Sequence, residues 1–445
     1  MVIQFPYGDT LWEEDVPGLG DAFVLKPPEN LEPVSGLTQA VSQALESSLG
    51  SHRLRDLVQP NDGIAVIISD ATRSSPSRFF LDSIVTELEQ AGVSLQNVTI
   101  VVATGTHRGS TREELVRMLG EEHLARFKVV SHDCHNRSAL VYLGETKRGV
   151  PVWINRTVAE ATFCIATGTI TPHHVMGYSG GRKAILPGVA GELTVRWHHS
   201  FPIRPFQPAF GQMGGNPAHE EALQAAKMLG VDFIINAVPD PQSRGFLGIV
   251  AGDLVAAHLA GVQMCGRACR AFFPFQADLT ICSPGGHPRD INLHQAQKAL
   301  SVAEMVTRPG GVIILVAECR KGIGSEFAQW LQRARTPQEV IKKFQDDGWL
   351  ASSGKAMMFA RATTKHKVML VSEAFSRDYL SSLFLHKAES LKEAMTFACE
   401  ILGSDPKTVV IPRASGLIPV AAGHPDERAS RLSDVQEMKV NPPTV

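Results

Sequence analysis

The sequence has no run near the roughly 18 consecutive apolar residues that a transmembrane helix needs. An excess of one charge is also absent: 43 Lys and Arg stand against 45 Asp and Glu, a formal net charge of −2. That balance gives no electrostatic basis for binding nucleic acid or an anionic membrane, so neither is expected as a partner. The opening segment MVIQFPYGDTLWEEDVPG is acidic and lacks the basic and apolar regions of a secretory leader. Seven cysteines, at 134, 164, 265, 269, 282, 319 and 399, are odd in number and scattered. They do not form a disulfide framework, and reduced thiols in a cytoplasmic protein are expected. Cys265 and Cys269 lie one helical turn apart, which suits metal ligands or ordinary packing on a helix face; no second pair is nearby. Two nucleotide-binding fingerprints are missing as well. GYSGGRKA (177–184) ends in Arg182-Lys183-Ala184, where a Walker A loop needs a hydroxyl residue after the lysine. It does not match GxGxxG either, which disfavours a P-loop NTPase or a plain NAD enzyme.

What is present is a globular composition, 44% hydrophobic and 20% charged, over 445 residues. That length exceeds one ordinary core and predicts about two or three domains. Short strands are expected at Val2–Phe5 and Ala22–Leu25, then a helix from Leu37 to Leu49. From there continuous apolar runs alternate with amphipathic stretches. The runs are Ile64–Ile68, Val98–Ala103, Val129–Val130, Ala161–Ala166 and Phe233–Val238; helices are expected at Ser77–Ala91, from Thr111 to Phe127, Pro217–Leu229 and Leu254–Cys269. A hairpin is expected across Val141–Leu143 and Val152–Ile154. The pattern restarts at Leu279–Cys282, with helix Leu293–Val306 and strands Gly311–Val316, Val368–Val371 and Val409–Ile411. Such alternation predicts an α/β protein of two α/β domains with parallel-rich sheets. The boundary falls near Phe272–Gln276, giving 1–272 and 277–412, with a polar tail, 413–445, available to complete the first.

Ligands of parallel sheets sit beyond the carboxyl ends of the strands. Three expected strand ends carry polar residues: Asp70 and Arg73, His107 and Arg108, His173 and His174. Each alone has an ordinary reading, Asp70 as a helix cap and His107 as a partner for a nearby carbonyl. Their convergence favours a site. The densest stretch is Pro172–Ser200, with Gly177, Gly180, Gly181, Lys183 and the pairs His173-His174 and His198-His199. A Gly-rich turn entering a helix can cradle an anion, a lysine amine can hold a phosphate or bond covalently, and histidines ligate metals or carry protons. Neighbours in a pair point in different directions, so one of each is expected to face a common site. SPGGHPRDINLHQAQKAL (283–300) reads as strand–turn–helix, with Gln295 and Lys298 either solvated or functional.

SDATR, ATGTHR, PHHVMGYSGGRKAILPG, the following HH and SPGGHPRDINLHQAQKAL, in this order, resemble the nickel-dependent lactate racemase family and related 2-hydroxyacid racemases and epimerases. The likeness covers most of 60–300 and weakens beyond. It implies an isomerase with its site in an interdomain cleft and a nickel-pincer cofactor, a pyridinium mononucleotide with two sulfur-bearing arms. The resemblance puts the tethering lysine at Lys183, the nickel ligand at His199 and the acid–base pair at His107 and His173. It puts Arg73, Gln295 and Lys298 around the substrate, and Asp70, Arg73, Gly180 and Gly181 by the cofactor. It also implies partners: a small 2-hydroxy acid substrate and proteins that make the cofactor. Inverting the α-carbon would then proceed by reversible hydride transfer through a 2-keto acid, with each histidine exchanging the hydroxyl proton. Two other readings use the same residues: a zinc-dependent hydrolase or lyase with an activated water, and a non-catalytic phosphate or nucleotide binder.

Overall fold

The computed structural model describes residues 2–15, 19–28 and 31–423; the tail from 424 to 445 lies outside them. Strand Ile64–Ser69 (IAVIIS) is a β-branched run buried on both faces, the burial that a covered parallel sheet imposes. Val66 and Ile68 pack toward Phe80, Leu81 and Ile84 of helix Ser77–Gln90, with Val41 and Leu45 of helix Leu37–Glu46 alongside. Ala65 and Ile67 face the opposite layer, which includes Leu186, Val195 and Ala222. The alternation follows from successive side chains pointing to opposite faces.

Six strands form the first sheet, in the order Phe246–Gly252, Phe233–Pro239, Phe163–Thr169, Ile64–Ser69, Val98–Ala103 and Lys128–Ser131. All pairs are parallel except the one between Phe246–Gly252 and Phe233–Pro239. From Ile64–Ser69 the chain winds outward through Val98–Ala103 to Lys128–Ser131, then returns to lay Phe163–Thr169 on the other side. The crevice between the ends of Ile64–Ser69 and Phe163–Thr169 is thus the switch point of a doubly wound sheet, where such folds bind ligands.

The second sheet runs His386–Ala388, Lys367–Val371, Thr307–Val316, Ala277–Cys282, Thr408–Ile411 and Phe23–Val24, all parallel. Residues 2–15 and 19–24 therefore sit with the second sheet, although the sequence grouped them with 1–272. Val2–Tyr7 pairs antiparallel with Thr10–Asp15, and Phe5 and Leu19 are buried against Leu279, Ile281 and Val312. A two-residue strand has too little surface to hold alone, and it survives here as the covered edge of a larger sheet. The start of the tail does not join the first sheet: Ile418–Ala421 pairs with Arg270–Phe273 at the boundary. An apolar cluster that includes Ile170, Tyr178 and Cys265 of the first half and Leu293, Ala296 and Leu417 of the second joins the two.

Helix Ser353–Lys365 was not legible in the sequence. Ala356, Met357, Met358, Phe359, Ala360 and Ala362 are all buried, so its apolar residues have no 3.6-residue stripe. Strand Phe246–Gly252 (FLGIVAG) was hidden by its glycines. Among the described residues, no helix is long and apolar enough to cross a membrane.

Because Phe5 is fully buried with the second sheet, Phe5→Ala is expected to cost about 3–5 kcal/mol of stability. Urea unfolding checks this; a loss under about 1 kcal/mol would mean that the hairpin adds little to that core.

Candidate active site

The ends of three adjacent parallel strands place Asp70, His107 and His173 on one rim. Asp70, Arg73, His107, His173, Lys183 and His199 all line one cavity of about 280 Å³. A larger cavity of about 990 Å³ opens beside it and takes in His294 and Gln295 from the second half. Thr106, His107, His174, Arg204 and Trp349 line both.

His107 Nδ1 lies 2.7 Å from Asp70 Oδ2. A carboxylate only accepts, so the proton sits on Nδ1 and leaves a lone pair on Nε2 of the neutral ring. Asp70 is itself fixed by Thr72, whose backbone N–H (3.3 Å) and hydroxyl (2.7 Å) both donate to Oδ1. Burial alone would raise the Asp70 pKa, but the bonds from His107 and Thr72 and the positive charge of Arg73 outweigh it, and the net shift is downward. Arg108, the other basic residue at that strand end, turns away and forms a two-pronged pair with Glu114.

His173 has the opposite tautomer. Its Nδ1 accepts the backbone N–H of Val175 (3.2 Å) and Met176 (3.1 Å), so the neutral ring carries its proton on Nε2. Burial, then the charges of Lys183, His174, Arg73 and His199, hold its pKa well below the usual imidazole value. His174 stacks on it with ring centroids 4.7 Å apart, and is depressed by burial and then by Lys355 and Arg204 of the larger cavity. The two rings therefore answer to different surroundings.

His199 sits at the end of helix Glu192–His199, and its Nδ1 lies 3.1 Å from the Val195 carbonyl. A carbonyl requires Nδ1–H, which leaves Nε2 of the neutral ring as a lone pair, the arrangement a metal-ligating histidine adopts. The ring of Trp349, from the second half, lies 5.7 Å away. His198 is fully buried and uses both nitrogens, Nε2 on the Ala218 carbonyl (2.7 Å) and Nδ1 against His199. Among the described residues, no three His, Cys, Asp or Glu side chains converge to hold a metal ion. The thiols of Cys265 and Cys269 lie 3.8 Å apart, both buried, as helix packing.

The Gly-rich stretch does not enter a long helix as expected; Gly181–Ala184 is a single 3₁₀ turn. Gly180 (φ +80°) and Gly181 (φ +49°) take left-handed conformations, and a Cβ would meet Asn236 Oδ1 at 2.6 Å or His258 at 2.8 Å respectively. The Gly181 amide is already taken by Asn236 Oδ1 at 3.0 Å. These glycines thus allow close packing on the protein itself, with Gly180 alone of the two on the cavity wall. Behind them Arg182 Nη1 donates to His258 Nδ1 (2.9 Å), and His258 Nε2–H donates to the Ser179 carbonyl (2.9 Å). The turn so braced presents Lys183, whose amine is pushed well below the ordinary lysine pKa by burial and then by Arg73 and Lys298.

Asn292 caps helix Leu293–Val306 by accepting from the Gln295 N–H. Gln295 lines the larger cavity, and Lys298 stands behind it, donating to Gln295 Oε1 at 2.7 Å. Burial, then Arg73 and Arg289, push Lys298 down to about 8. Arg204, Trp349 and Lys355 line these cavities too, and sequence reasoning missed all three. Arg204 lies between prolines in FPIRPFQP, just after the histidine pair, a cue that was available; Trp349 and Lys355 arrive only through tertiary contact.

His198, His219 and His258 are pushed down to about 4, 4 and 3, mainly by burial. The unfolded chain protonates them near 6.5. Below that pH it binds protons that the folded state excludes, so their contribution is complete above 6.5 and is lost as pH falls toward 4. The melting temperature is expected to fall from pH 7 to pH 5, less steeply in His258→Gln. Equal slopes in the two proteins would show that His258 does not titrate this way.

Comparison with known proteins identifies the family. Residues 7–207 match the model of the lactate racemase N-terminal domain and 274–418 that of the C-terminal domain. The chain is 34% identical to the lactate racemase of Thermoanaerobacterium thermosaccharolyticum over 423 residues, 94% of this chain and 98% of that protein. It is 33% identical to the lactate racemase of Lactiplantibacillus plantarum over 390 residues, 85% and 90% of the two. The lactate racemase apoprotein structure from T. thermosaccharolyticum superposes with a TM-score of 0.88 at 32% identity, over 94% of this chain and all of that one. A Thermotoga maritima protein shares the fold alone, at 17% identity and a TM-score of 0.63, over 86% of this chain and 97% of that one. With both domain models matched in order, and relatives of this identity spanning nearly the whole chain, this protein belongs to the lactate racemase family, a family of isomerases.

Proposed function

We propose that this protein racemises a small 2-hydroxy acid, lactate or a close relative, with His107 and His173 as the proton-handling pair. The observation that carries the reading is the Asp70–His107 dyad, which presents an Nε2 lone pair to the cavity that holds a second histidine, Lys183 and His199. The donor set fits a nickel-pincer cofactor. His199 offers one metal-binding nitrogen, and a metal carried in by a cofactor brings its other ligands with it. Lys183, whose amine burial and then Arg73 and Lys298 hold well below the ordinary lysine pKa, is suited to covalent attachment. When bound, such a cofactor supplies an electron-poor acceptor for the α-hydrogen.

The chain's own residues do the rest. His107 Nε2 takes the hydroxyl proton, and Asp70 holds the imidazolium that results. His173 stands as a hydrogen-bond donor through Nε2–H. For it to exchange a proton at that atom, Nδ1 must take a proton and release the Val175 and Met176 amides. Arg73 and Lys298 supply positive charge for the carboxylate, and Gln295 orients Lys298. A cell using this chain must also have proteins that make the cofactor. A zinc hydrolase would need about three protein ligands on the metal, and among the described residues no such group converges.

His107→Ala and His173→Ala are each expected to abolish racemisation while nickel is still retained; full turnover in either would sink the assignment. Asp70→Asn, which removes the charge that holds the His107 imidazolium, is expected to lower kcat about 10²-fold or more. His199→Ala is expected to lose bound nickel by elemental analysis after loading and desalting. Nickel with extra sulfur in the wild type supports the racemase; zinc alone would support the hydrolase.

A further inference from the structure

Arg204 is 5% exposed, and no hydrogen bond or ion pair engages its guanidinium among the described residues; its Nε is buried without a partner. Burial, then the charge of Arg361, push its pKa to about 9. Arg361 differs in having a carboxylate of its own: it pairs with buried Glu304 at 2.6 Å. A buried guanidinium without a counter-ion is unfavourable unless something else supplies the negative charge.

Arg204 lies on the wall shared by the two cavities. Against it stands the start of helix Ser353–Lys365, where a Cβ on Gly354 would come within 3.3 Å of Arg204 Nη1. No side chain caps that helix, although the Ser353 and Lys355 amides donate to the Leu350 and Ser352 carbonyls, and Ser352, Gly354 and Lys355 line the larger cavity. The Gly354 amide, next to Arg204, and the positive end of the helix dipole favour an anion there. Lys355 Nζ donates to Gln297 Oε1 at 3.0 Å, a neutral acceptor that leaves its charge uncompensated. The acidic residue lining this cavity, Glu192, is 56% exposed and lies against His135.

We propose that Arg204, Lys355 and the uncapped first turn of Ser353–Lys365 form an oxyanion subsite, separate from Arg73 at the strand end, that takes a carboxylate or phosphate group of the bound ligand. A carboxylate would belong to the 2-hydroxy acid, a phosphate to a nucleotide. The subsite extends the racemase reading without resting on it, because an anion is bound there with no turnover.

The test is calorimetric titration of the full-length protein with lactate, malate and inorganic phosphate, for wild type, Lys355→Gln, Arg204→Gln and Arg204→Lys. At least one probe is expected to bind the wild type, to weaken about tenfold or more in both Gln variants, and to recover in part in Arg204→Lys. Loss confined to phosphate assigns the subsite to a phosphoryl group. Loss for malate alone assigns it to a second carboxylate, and loss for lactate as well moves the carboxylate beside the reacting carbon here from Arg73 and Lys298. No binding by wild type, or affinities within about twofold in Lys355→Gln, overturns the proposal. Lys355→Gln carries the test if Arg204→Gln fails to fold, because the lysine is only half-buried. Anion binding that survives alongside an inactive loaded enzyme would count against the racemase reading alone.

Discussion

Uncompensated positive charge governs the centre of this molecule. Arg73, Lys183, Lys298, Arg204 and Lys355 act on one another across the junction of the two halves, and each amine is depressed partly by the others. Among the described residues, Asp70 is the one carboxylate on the wall of the smaller cavity, and it is engaged by His107 and Thr72. Like charges in a partly dewatered space repel strongly, and rigid elements must hold them there. Three strand ends, a braced 3₁₀ turn and two helix starts do so. An anionic ligand removes the repulsion, so it stabilises the fold as it binds.

The same scaffold sets the protons. His107, His173 and His199 have the same side chain, yet each rests in a state chosen by one neighbour. A carboxylate fixes His107, two amides fix His173 and a carbonyl fixes His199. Two of the three therefore turn a lone pair toward the ligand space and the third a proton. Adjacent residues diverge just as sharply. His198 spends both nitrogens on its own structure while His199 keeps one.

The parts legible in the sequence were those with local causes. Buried β-branched runs, capped helices and polar strand ends gave the first sheet and its rim, because a parallel sheet buries both faces and frees only its ends. The helix expected from Thr111 starts on a Thr111–Glu114 capping box but breaks at Gly120 (φ +82°). What failed had non-local causes. The pairing of Phe23–Val24 with a strand near residue 409 leaves no local trace, and Ser353–Lys365 is buried too uniformly to show a stripe. What packs against Gly180 and Gly181, Asn236 and His258, is likewise far away in sequence.

The N-terminal segment also bears on synthesis. Phe5 and Phe23 are made well before their partners Leu279, Ile281 and Val409. A chain emerging from the ribosome can close its first sheet once Phe246–Gly252 is out, while the leading hairpin still has nothing to cover it. Until Thr408–Ile411 emerges, Phe23–Val24 has no strand to pair with. An edge strand of the second sheet is thus translated long before the strand it pairs with.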